Sequence, residues 1–95
     1  MTYDRILKRI RDCVRTANYN ITRHAHREMF EDDLTIVDVE HAILTGQIIE
    51  RQRDALTREA NYLLRGSTPW REIDVAVAFA ASGRLNIITV FAVKD

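Results

Sequence analysis

Residues 72–93, EIDVAVAFAASGRLNIITVFAV, decide the fold. Val75, Val77 and Phe79 alternate with Asp74, Ala76, Ala78 and Ala80, the period of two that sends successive side chains to opposite faces of a strand. The ASGR stretch at 81–84 supplies a tight turn, and Leu85 to Val93 is rich in β-branched residues. The whole stretch therefore reads as a β-hairpin. Its alanines leave the second face of the first strand shallow enough for a helix to approach closely.

Two more strands are expected upstream, QIIERQ at 47–52 and NYLLRG at 61–66. The edge formed by QIIERQ is open to pairing with an extended peptide or a second copy of the chain. Pro69 and Trp70 fall in the loop STPWRE, where proline costs no ladder hydrogen bond. Trp70 reads as a partly buried loop aromatic closing the sheet edge, or as a stacking or anchoring group beside Arg71.

The helices lie before the sheet. TIVDVEHAILTG (35–46) predicts a helix over roughly 36–45: Thr35 is an N-cap, Asp38 the third helical residue, and Gly46 a left-handed C-cap. Its Ile36, Val39 and Ile43 form the packing stripe, and His41 lies off it. HREMFEDD (26–33) predicts a short helix with Met29 and Phe30 inward, entered through an extended ITRHA segment (21–25). From Tyr3 to about Ala17, apolar Ile6, Ile10, Val14 and Ala17, widened by Leu7 and Cys13, oppose Arg5, Lys8, Arg9, Arg11 and Arg15. That is a basic amphipathic helix with its stripe on the sheet.

With 95 residues there is room for one domain: an N-terminal basic helix over 1–19 and an α+β core over 20–93. The expectation is two or three helices packed on a mainly antiparallel sheet. No apolar run approaches the roughly 20 residues of a membrane span, no signal-peptide pattern opens the chain, and the lone Cys13 has no internal bridging partner, so a cytoplasmic setting without a membrane is expected. The net charge is zero but divided. Residues 1–27 hold seven basic and two acidic side chains, whereas residues 28–50 hold seven acids and no Lys or Arg. This split gives a face suited to RNA and another suited to a basic partner, or simply two solvated helix faces.

Histidine is the natural proton carrier near neutrality, which singles out His24 and His26. On a strand they would face one way; on a helix they would diverge, and one alone would enter a site. Metal-independent RNA cleavage also needs cations around the phosphate. Arg23 and Arg27 flank the histidines, Arg65, Arg71 and Arg84 are further RNA-binding candidates, and Tyr62 is a candidate to stack a base or donate a proton. Structural roles for both histidines, capping a helix or fixing a strand end, compete with this. The two histidines lack a third metal ligand, and no Gly-rich phosphate loop or serine-hydrolase elbow occurs, so neither metal nor cofactor is expected.

The segments ITRHAHREM, LTIVDVEHAILTGQIIE, NYLLRG and IDVAVAFAASGRLNIITVF, in that order, resemble domain-of-unknown-function family 4258 over about residues 20–93. The family is grouped with RelE/ParE-like toxins. The resemblance implies a RelE/ParE-like fold, an RNA or ribosome-associated substrate, and an antitoxin-like protein partner. His24, Ala25 and Met29 match the family pattern. Glu28 stands where a basic residue is common, and Asp32-Asp33 where an Arg-Gly pair is common, which departs from any RNA-cleaving scheme that needs those basic groups. Two functions are therefore carried forward: a metal-independent endoribonuclease of toxin type, and a noncatalytic protein-interaction module. The oligomeric state is not legible.

Overall fold

The computed structural model describes residues 3–56 and 58–93. In chain order the elements are α1 (Asp4–Arg15), β1 (Tyr19–Ile21), α2 (Arg23–Glu31), α3 (Ile36–Thr45), β2 (Gln47–Arg53), β3 (Ala60–Ser67), β4 (Glu72–Phe79) and β5 (Leu85–Ala92). The β4–β5 hairpin forms as the alternation requires, closed by Ala80 N–H to Arg84 O and by Gly83 at φ 90°. The sheet order is β1-β5-β4-β3-β2, an α+β arrangement in which three pairings are antiparallel and β1–β5 is parallel.

Two β-bulges reset the side-chain phase. One lies opposite Ala76/Val77, where Val77 pairs with Ile87 and Ala76 with Thr89, leaving Ile88 as the extra residue. Ile87 and Val90 thereby face the core together, although strict alternation would separate them. The other bulge passes over Ile49 in β2.

The three helices of the described residues feed one core. Leu7, Ile10, Cys13 and Val14 of α1, Ala25 and Met29 of α2, and Val39, Ala42 and Ile43 of α3 cluster with Tyr62, Leu64, Ile73, Val75, Val77, Leu85, Ile87 and Val90 of the sheet. Each large side chain so buried contributes about 1.5–3 kcal/mol relative to exposure. The opposite face, with Leu63, Ala76, Ala78, Thr89 and Phe91, carries no helix among the described residues, contrary to the close approach expected from the alanines. At its centre Asp74, 3% exposed, is held by Arg65 directly across the ladder through bonds of 2.8 and 3.0 Å.

α3 forms as predicted, with a reciprocal Thr35–Asp38 capping box. Its end differs. Gly46 lies at φ −86°, ψ −169°, so its glycine is not required by a left-handed cap. It is required by proximity: a Cβ there would strike the carbonyl oxygens of Arg65 and Ala42, and one on Gly66 would strike the Ala42 backbone. The two glycines let α3 rest backbone to backbone on β3. Arg11 locks that corner from α1 by donating to Ile43 O and Gly46 O.

Candidate functional site

Residues 21–33 form the end of a strand, a cap and a helix in succession. β1 ends at Ile21; Thr22 takes the extended N-cap conformation, accepts from Ala25 N–H at 3.1 Å and donates to Ile88 O at 3.0 Å. The helix therefore starts at Arg23, not beyond the expected extended ITRHA segment, and both histidines are helical. α2 closes with Asp33 in the left-handed region (φ 55°), Leu34 N–H bonding back to Met29 O and Asp33 N–H to Phe30 O. This is the Schellman pattern, which favours glycine at that position.

α2 continues the direction of β1 along the edge of β5. β1 pairs only with Leu85 to Ile87, so β5 amides beyond that point need other acceptors. Glu28 Oε1 accepts from Val90 N–H at 3.0 Å and Asp32 Oδ2 from Ala92 N–H at 2.9 Å. The match is geometric: four helical residues rise about 6 Å and two strand residues about 6.8 Å. Two of the acids in the run thus act as surrogate strand carbonyls.

Glu28 has a second neighbour. His24 Nε2 stands 3.2 Å from Glu28 Oε1, and the imidazole side chain is 59% exposed. The contact is one of proximity across a helical turn; an N–H at Nε2 turned to the carboxylate would leave Nδ1 as the free acceptor.

The outward side of α2 is equally specific. Arg23, His26 and Arg27 are exposed, and Phe30 is 85% exposed rather than inward. Their i, i+3, i+4, i+7 spacing puts them on one stripe opposite Ala25 and Met29. At about 100° per residue the two arginines lie between His24 on one flank and His26 on the other, so the histidines diverge. Phe30 points out because Met29, one residue earlier, already fills the core position. At the C-terminal end of α2, Arg71 donates to Asp32 O, tethering the β3–β4 loop. The neighbouring Trp70 is 89% exposed and closes no edge.

The remaining sequence candidates are held elsewhere. Tyr62 is 7% exposed, on β3, two strands across the sheet from β5, with its ring edge-on to Tyr3. Arg65 is engaged by Asp74, whose hydrogen bonds and charge raise the pKa of the guanidinium further. Arg84 donates to Tyr19 O beside the β4–β5 turn. His24, His26, Arg23 and Arg27 are thus brought onto one helix and Arg71 to its C-terminal end, whereas Tyr62, Arg65 and Arg84 each have a separate setting. The settings of Glu28 and Phe30 on this helix differ from the sequence reading; for Glu28 the four-residue spacing of His24, Glu28 and Asp32 was the available signal.

Among the described residues no helix is long and apolar enough to cross a membrane, and no group of three or more His, Cys, Asp or Glu side chains is placed to hold a metal ion. A family model described as a domain of unknown function, DUF4258, matches residues 21–92. No curated protein and no solved structure matches the chain. The matched span begins at the end of β1 and leaves α1 outside it.

Proposed function

This chain belongs to the DUF4258 family, and from that premise we propose that it is a metal-independent endoribonuclease of toxin type, with a RelE/ParE-like relationship, acting on RNA in the cytoplasm. The observation that carries the reading is the constellation on α2: an exposed His24 beside Glu28, next to a stripe of Arg23, Arg27, His26 and Phe30. Basic side chains interleaved with an exposed aromatic suit a single strand, whose phosphates take the cations and whose bases stack.

In this reading Nδ1 of His24 takes the proton of a ribose 2′-hydroxyl as that oxygen attacks the adjacent phosphorus. The P–O5′ bond breaks, and the departing 5′-oxygen takes a proton from solvent. The products are a 2′,3′-cyclic phosphate and a free 5′-hydroxyl, with no oxidant or co-reactant required. Arg23 and Arg27 neutralise the phosphorane, and positioned charge of this kind is commonly the largest catalytic contribution. His26, on the far flank, serves strand contact.

The test is incubation of single-stranded and structured RNAs with purified protein in chelator, beside the same sequences carrying 2′-deoxyribose. Cleavage confined to RNA, with cyclic phosphate ends, is expected; cleavage of the deoxy strand would contradict the mechanism.

A second reading, a noncatalytic protein-interaction module with an antitoxin-like partner, is favoured by one specific observation. Arg65, Arg71 and Arg84 are committed to partners within the chain, while Phe30 and Trp70 stand free as hydrophobic anchors near the C-terminal end of α2. Absence of cleavage on free and ribosome-bound RNA together would select it.

A further inference from the structure

The β2 bulge has a chemical consequence on the other side of the molecule. Ile48 pairs with Leu64; regular pairing from there would place Glu50 across from Tyr62. The extra residue, Ile49, shifts the register so that Arg51 stands opposite Tyr62 and Glu50 opposite Leu63. A guanidinium replaces a carboxylate at that position. Bulges that re-aim a side chain recur beside binding sites.

Arg51 and Tyr62, with Tyr3 and Ile6 of the N-terminal segment, line an open cleft of about 300 Å³. The Tyr3 and Tyr62 rings meet edge to face, centroids 6.4 Å apart at 78°. Tyr62 is more than nine-tenths buried, and its hydroxyl has no hydrogen-bond partner among the described residues, yet it is not a sealed polar atom. Tyr62 is one of the residues that line the cleft. Buried tyrosines ordinarily bond their hydroxyl. Arg51 is likewise without an ion-pair partner among the described residues.

We infer that this cleft binds a nucleoside monophosphate. The planar fork of Arg51 donates to two phosphate oxygens, the Tyr62 hydroxyl donates to a third polar atom of the ligand, and the base lies against the tyrosine rings and Ile6. The cleft volume is at the lower end of small-ligand sites, which suits one nucleotide rather than a longer strand. The site is built from the N-terminal segment, β2 and β3, and stands apart from α2, so it does not depend on the ribonuclease reading.

Isothermal titration of the full chain with the four ribonucleoside 5′-monophosphates tests it, with inorganic phosphate, adenosine and benzoate as separate arms. At least one monophosphate is expected to bind tenfold or more tightly than phosphate, adenosine or benzoate. R51Q, at an exposed position, should weaken it at least tenfold and Y62F several-fold, while H24A leaves it unchanged. No monophosphate binding at millimolar concentration, equal affinity for benzoate, or undiminished binding by R51Q would each overturn the assignment.

Discussion

The Glu28 carboxylate accepts the Val90 amide hydrogen at 3.0 Å, joining α2 to an edge of the sheet that β1 does not reach. The same oxygen lies 3.2 Å from His24 Nε2, so the acceptor that anchors the helix also faces that imidazole across one helical turn. Edge cover and site geometry are one feature. E28A should therefore lower stability by about 1 kcal/mol, the usual net worth of one hydrogen bond, whereas E28Q, which keeps an acceptor, should lose less. Urea unfolding measures both. E28A/D32A should in addition self-associate through the bared β5 edge, visible by sedimentation.

The contact of α3 with β3 has no room for a methyl group. G66A is expected to lose about 1–3 kcal/mol, because Ala42 backbone rather than a mobile side chain stands in the way. Unfolding free energy equal to the parent would show that α3 can shift freely.

Ala17 ends α1 in the left-handed region at φ 56°, with Asn18 N–H bonded to Cys13 O. A17G should stabilise the protein by about 1 kcal/mol by relieving that conformation. D33G should give a smaller gain, since aspartate tolerates the region better than alanine does. Thermal unfolding of the two variants would check the order.

The phenol of Tyr19 donates to Glu40 at 2.7 Å, and burial first, then the carboxylate, pushes its pKa up to about 12. The folded chain thus keeps a proton that the unfolded chain releases near pH 10. The associated stability is complete below pH 10 and is lost as pH rises through about 12. The advantage of the parent over Y19F, on the order of 1–2 kcal/mol at pH 8, should shrink steadily across that window in denaturant titrations.

Much of this architecture is written in local pattern. The β4–β5 alternation, the Thr35–Asp38 box and the period change after Gly46 each depend on neighbours within a few positions, and each is realised. What escaped reading depends on contacts far along the chain. Phe30 faces out because a single inward slot is filled by Met29; Gly46 and Gly66 answer to each other's strand and helix, not to a turn. Glu28 and Asp32 looked like solvated acids because nothing local announces that β1 stops at Ile21. Arg51 was invisible for a similar reason, since its direction is set by a bulge.

Binding and cleavage of one RNA by the parent protein, H24A and R23A/R27A separate the proposed roles most directly. H24A is predicted to bind like the parent but to cleave about 10²–10⁴ times more slowly, the range for loss of a general base. R23A/R27A should bind more weakly and show a shallower salt dependence, by about 1.4 in the log–log slope for two lost contacts to a single strand. Cleavage by H24A at the parental rate would contradict the assignment of α2 as the site.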